Sequence, residues 1–114
     1  MLRDVTLTLE LSDLRSANEK ALEQLSRTTE EQFDSELAEI ESFLLSLYRF
    51  AVLAVRSEKD IERAANVWRE TLAVIDGAAK RVQTLAARHT GGHPALDRIL
   101  EIRHAASEML ALYA

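Results

Sequence analysis

An apolar stripe between residues 61 and 86 constrains the fold of this chain more than any other feature. Its members recur in alternating steps of four and three residues: Ile61, Ala65, Trp68, Leu72, Ile75, Ala79, Val82 and Ala86. No proline interrupts them, so this repeat of about 3.5 residues predicts one long helix that packs beside others. Trp68, at the centre of the stripe, is expected to be a core anchor. The chain is therefore predicted to be a bundle of long helices.

Composition supports a single helical domain spanning residues 1–114. The sequence is 47% hydrophobic and contains only three glycines and one proline, which favours helix over disorder. A bundle of this size buries only about two thirds of its unfolded surface, so a subunit interface would add stability. The net charge of −5, with basic residues spread singly, argues against nucleic acid or an anionic membrane as partner.

Several site classes are excluded by what the sequence lacks. Without cysteine, disulfides, thiolate nucleophiles and cysteine-based metal sites are ruled out. We find no pattern of a signal peptide, and the longest apolar stretch, residues 43–55, is too short to span a bilayer. We therefore expect a cytoplasmic protein. The excess of arginine over lysine suggests a GC-rich bacterial source.

Capping signals predict the bounds of the last three helices. One helix is expected from Glu30 to Arg56, with Thr28 or Thr29 forming a capping box with Glu31 or Gln32. The next is expected from Glu58 to Arg88, capped by Ser57 and stopped at Gly91–Gly92. The last is expected to start at Pro94, a favourable first helical position, and to run to the end.

The N-terminal region fits two patterns. Val5, Leu7, Leu9 and Leu11 alternate with polar residues as in a strand, yet leucines at 7, 11 and 14 also fit a helix. We favour a helix, because a lone strand would have no partner in its own chain. If this helix starts early, Asn18 occupies a core position. If it starts near Ser16, Asn18 caps it or faces water.

Two histidine patterns were weighed as metal sites. Glu101 and His104 have the Glu-x-x-His spacing of di-iron bundles, but both lie nearly opposite the apolar face of the last helix. His89 and His93 are four residues apart, but two glycines separate them. We expect His89 near the C-terminal carbonyls of its helix and His93 at the cap of the next. No metal, cofactor or catalytic residue is therefore predicted.

An apolar belt from Phe43 to Val55 surrounds the second half of the helix 30–56. A helix that is apolar all round is usually buried all round, which a monomer this small can hardly achieve. The residues that fall off its main core face predict a subunit interface: Leu45, Tyr48, Val52 and Leu53.

The sequence thus predicts an all-α, antiparallel, up-and-down helical bundle with three long helices and an N-terminal helix or arm. The expected function is a non-enzymatic, self-associating bundle, most simply a dimer, that can also bind a partner protein. The alternative is a bundle enzyme that binds a small ligand or a metal. A polar pocket on the core face would favour the alternative, and the core stripes of the helices 30–56 and 58–88 contain no charged residue.

Overall fold

The computed structural model contains four helices. They are α1 (Leu2–Leu25), α2 (Glu30–Arg56), α3 (Ile61–Ala86) and α4 (Pro94–Ala111). The structure describes the backbone of residues 2–89 and 91–113, and the side-chain surroundings of residues 12–29, 31–89 and 91–113. The predicted all-α bundle is confirmed. The N-terminal region is helical, as favoured, while the side chains of residues 5–11 lie outside the described set.

The bounds of α2, its cap residue Thr29 and the start of α4 agree with the prediction, but the predicted side-chain cap bond of α2 is not made and the predicted cap of α3 is wrong. Thr29 occupies the cap position of α2 without a side-chain cap bond, and the hydroxyl of Thr28 donates to the carbonyl of Gln24 instead. Helix α3 begins at Ile61 because Asp60, not Ser57, is its cap. The Asp60 carboxylate accepts from the backbone N–H groups of Glu62 and Arg63, at 2.9 and 3.4 Å.

Two helices also end earlier than predicted. Helix α3 ends at Ala86 rather than Arg88, and the connection to α4 turns at Gly91. Gly91 has φ of 108°, a backbone conformation that a side chain disfavours, which explains a glycine there. Helix α4 ends at Ala111, and Leu112 follows in a closing turn.

Helices α2 and α3 form the centre of the bundle, since each packs against the other three helices. Within the described residues no Cα atom of α1 lies within 8 Å of one of α4, so these two helices flank the α2–α3 pair from opposite sides. The Cα envelope measures 46 × 28 × 15 Å. Helix axes about 8–10 Å apart with Cα radii of about 2.3 Å give a similar thickness for a helix pair. The molecule is therefore a slab two helices thick.

Two ion pairs connect the flanking helices to the central pair. Arg98 of α4 bonds Glu41 of α2 at 2.7 Å, and Arg81 of α3 bonds Glu19 of α1 at 2.8 Å. Exposed pairs of this kind add little stability. They nevertheless mark where α1 faces α3 and α2 faces α4, and the contact of Phe33 with His93 places the starts of α2 and α4 together, as an up-and-down order requires.

The α3 stripe forms much of the core. Six of its eight residues are buried and Leu72 is half-buried, whereas Ile61 is 67% exposed because it lies on the first turn of the helix. Trp68 is fully buried, as predicted, with the Tyr48 ring 5.3 Å away.

Asn18 occupies the core position that an early start of α1 implies. Its exposed fraction is 2%, and its side-chain oxygen has no hydrogen-bond partner among the described residues. Of the two interpretations of Asn18, the buried one is therefore correct. An unpaired buried carbonyl costs free energy of folding, about 1–3 kcal/mol.

Candidate functional site

Two of the four predicted interface residues open onto a shallow groove between α2 and α4. Leu45 and Tyr48 line it from α2, and Ile102 and Ala105 line it from α4. The groove has a volume of about 290 Å³, and its rim carries the Glu41–Arg98 ion pair and Glu101. Its floor is therefore apolar and its edge charged.

The other two predicted residues lie further along α2. Val52 is seven residues after Leu45, so it lies on the same side of the helix, and it packs half-buried against the core. Leu53 points away from the core and is 52% exposed. The four residues thus form a strip that runs from the groove to the exposed end of α2, not one uniformly exposed face.

The remainder of the apolar belt is covered within the chain. The three neighbouring helices bury the main face of α2, and Phe43 and Phe50 are half-buried. The outermost line of α2 is mainly polar: Glu31, Ser35, Ser42, Arg49 and Arg56. A monomer therefore covers this helix better than the sequence suggested, because all three other helices pack against α2.

The exposed large hydrophobic residues of the described chain gather at one end of the slab. They are Leu53 (52%), Ile61 (67%) and Leu112 (76%). The Glu41–Arg98 pair sets α2 level with α4, and Leu53 and Leu112 lie twelve and fourteen residues beyond it. Leu112 stays on the α2-facing side of α4, whereas Leu53 is about 120° round α2 from Glu41 and lies at the same end on the outer face of that helix.

Glu101 and His104 do not converge. Glu101 borders the α2–α4 groove, whereas His104 borders the groove on the opposite flank of α4. The His104 imidazole lies 2.9 Å from the carboxylate of Glu108. In the part of the chain that the structure describes, no group of three or more His, Asp or Glu side chains could hold a metal ion.

His89 and His93 meet at an aromatic residue that sequence reasoning missed. The His89 ring stacks on Phe33 with centroids 4.0 Å apart, and the His93 ring meets Phe33 edge-on at 5.1 Å. His93 caps α4 by position, as expected, but both of its ring nitrogens are buried without a partner among the described residues. The cluster fastens the α3–α4 connection to the start of α2. No sequence spacing signals it, because Phe33 is 56 residues before His89.

A second and larger groove lies between α3 and α4, with a volume of about 570 Å³. Its floor contains Leu72, Leu100 and Leu110, and its polar lining includes Arg69 and Arg103. Sequence reasoning did not single out these arginines. Their convergence depends on how α3 and α4 are rotated against each other, which the helical repeat of either helix does not reveal.

Comparisons with known proteins identify no family for this chain. A scan against protein-family models and searches of curated proteins and of solved structures found no match to this chain. Among its described helices none is both long and apolar enough to cross a membrane.

Proposed function

We propose that this chain is a non-enzymatic helical bundle that acts in the cytoplasm by associating with a second copy of itself through its α2–α4 strip. The strip consists of Leu45, Tyr48, Val52 and Leu53 on α2, and of Ile102, Ala105 and Leu112 on or just after α4. The observation that carries the proposal is its exposed end, where Leu53 and Leu112 leave large apolar surfaces in water.

The anatomy of the strip supports an interface. An interface patch has an apolar centre and a polar rim, and here the groove floor is apolar while Arg98 and Glu101 stand at its edge. A two-fold dimer also doubles every contact, because the same patch is used on both copies. Each exposed leucine would then be covered on both copies.

The size of the strip predicts a weak dimer. Helix α4 has 18 residues and is about 27 Å long at 1.5 Å per residue, and two helices with side chains are about 20 Å wide. The strip lies within their projected area of roughly 540 Å² and comprises seven residues, against about 20–30 residues a side in a standard stable interface. We therefore expect an equilibrium between one and two copies at micromolar concentrations.

Sedimentation equilibrium of the full chain between about 5 and 500 µM tests this proposal. The mass-average should rise from 12.8 kDa towards twice that value. Leu53→Asp combined with Leu112→Asp should shift the equilibrium at least tenfold towards the monomer, since charges replace apolar contacts. Both positions are exposed, so the helical content should stay unchanged.

Ile61→Asp is the matched control. Ile61 is also exposed and at the same end, but it lies on α3, outside the strip. It should leave the equilibrium unchanged. A 12.8 kDa species at every concentration would refute self-association. Equal effects of Ile61→Asp and the leucine pair would refute the α2–α4 strip as its site.

A further inference from the structure

The α3–α4 groove differs from the rest of the surface in its charge. The residues that line it carry two arginines, Arg69 and Arg103, against one carboxylate, Asp76, whereas the whole chain has a net charge of −5. His104 and Ser107 complete its polar lining. This groove is thus a locally basic site on an acidic protein.

The two guanidinium groups are lightly engaged. Arg69 donates to the side-chain oxygen of Asn66 at 2.7 Å. The Arg103 guanidinium lies 3.7 Å from the Asp76 carboxylate, beyond hydrogen-bonding distance, and Asp76 is held more closely by Lys80 at 2.9 Å. Each guanidinium has five N–H donors, so most of them are available to an anionic partner.

The form of the groove favours a helix over a small molecule. All its lining residues belong to α3 and α4, so it is a trough that the other helices leave uncovered. Pockets for small ligands usually enclose about 70–90% of the ligand surface, which two walls cannot do. The small side chains of Ala73 and Ser107 also line the groove and leave room for another helix.

The length of the groove fits the same occupant. From Arg69 to Asp76 it follows α3 for about 10 Å, and from Leu100 to Leu110 it follows α4 for about 15 Å. That is two to three helical turns, the length over which an amphipathic helix places apolar anchors at i, i+3 or i+4, and i+7.

From these observations we propose that the α3–α4 groove binds an acidic amphipathic helix of a partner protein. Its apolar face rests on the three leucines, and its carboxylates pair with Arg69 and Arg103. This site is on the other flank of α4 from the strip proposed for self-association. The two proposals are therefore independent, and each is tested by its own variants.

A displayed library of 18-residue helical peptides tests the proposal on the full chain. The probes keep leucine at i, i+3, i+4 and i+7, and vary Glu and Lys at the flanking positions. Selection should enrich glutamate. The best acidic peptide should bind at least tenfold more weakly to the double variant Arg69→Glu/Arg103→Glu, and its affinity should fall as salt rises. Selection against that variant should enrich lysine instead.

Arg27→Glu combined with Arg88→Glu is the matched control, because it makes the same change of four charge units at exposed positions just after α1 and α3, outside the groove. It should behave as the unmodified chain. Equal loss of binding in this control would show a net-charge effect and overturn the proposal. Selection without charge preference, or an unchanged preference in the double variant, would overturn it as well. So would tight binding of decanoate in the groove where the peptides fail.

Discussion

Replacing Asn18 by leucine should stabilise the protein. Asn18 is 2% exposed and its side-chain oxygen has no partner among the described residues. The substitution removes an unpaired buried carbonyl, which costs about 1–3 kcal/mol. It also adds an apolar side chain of similar length, and any crowding in the core opposes part of the gain. We expect a net increase of about 1–2 kcal/mol in the free energy of unfolding.

Thermal unfolding converts this gain into a measurable shift. An unfolding entropy of about 2.1 cal/mol/K per residue makes 1 kcal/mol equal to about 4 °C in a chain of 114 residues. Asn18→Leu should therefore raise Tm by about 4–8 °C. Asn66→Leu is the control, since Asn66 is an exposed asparagine inside α3 whose one side-chain hydrogen bond, from Arg69, is itself exposed and adds little stability. It receives the same change in helix propensity and should stay within about 0.5 kcal/mol of the unmodified chain.

The opposite result would refute the reasoning. If Asn18→Leu unfolds at a lower temperature, the amide must make a stabilising contact in solution, and the buried carbonyl is not a cost. Calorimetry at several protein concentrations separates this from association, because a change in dimerisation makes Tm depend on concentration.

Two other substitutions test the packing. Trp68→Ala should lower the free energy of unfolding by about 3–5 kcal/mol, because it empties a fully buried site; native fluorescence of the unmodified chain at the water-exposed limit would contradict that burial. Gly77→Ala should raise the free energy of unfolding by about 1 kcal/mol, since Gly77 is in the interior of α3 and a Cβ there meets nothing within 4 Å. Urea denaturation measures both, and a destabilised Gly77→Ala variant would show that something approaches this backbone closely.

The helical repeat determined most of what could be predicted. It identified α2, most of α3 and the core role of Trp68, because burial of one side of a helix leaves a local signal in the sequence. It failed at the start of α3, where Ser57 and Asp60 both have the chemistry of a cap. Only the contact of Asp60 with the N–H groups of Glu62 and Arg63 decides between them.

The surface features were less predictable, because they arise between helices. Leu45 and Tyr48 were predicted as interface residues, but the groove beside them exists only because α4 packs next to α2. The contact of Phe33 with two histidines likewise depends on tertiary packing. So does the placement of Arg69 and Arg103 on the same groove. The helical repeat and the composition contain no information on contacts between residues that are far apart in the sequence.

The lack of contact between α1 and α4 in the described structure makes the cooperativity of this bundle uneven. Undocking α1 breaks its contacts with α2 and α3 but leaves every contact among α2, α3 and α4 in place. The free energy of that partial opening is set by one face of one helix, and its described buried residues are Asn18, Ala21, Leu22 and Leu25. Amide protons of α1 therefore have an exchange route that does not require global unfolding, and the other three helices form the slower-exchanging unit.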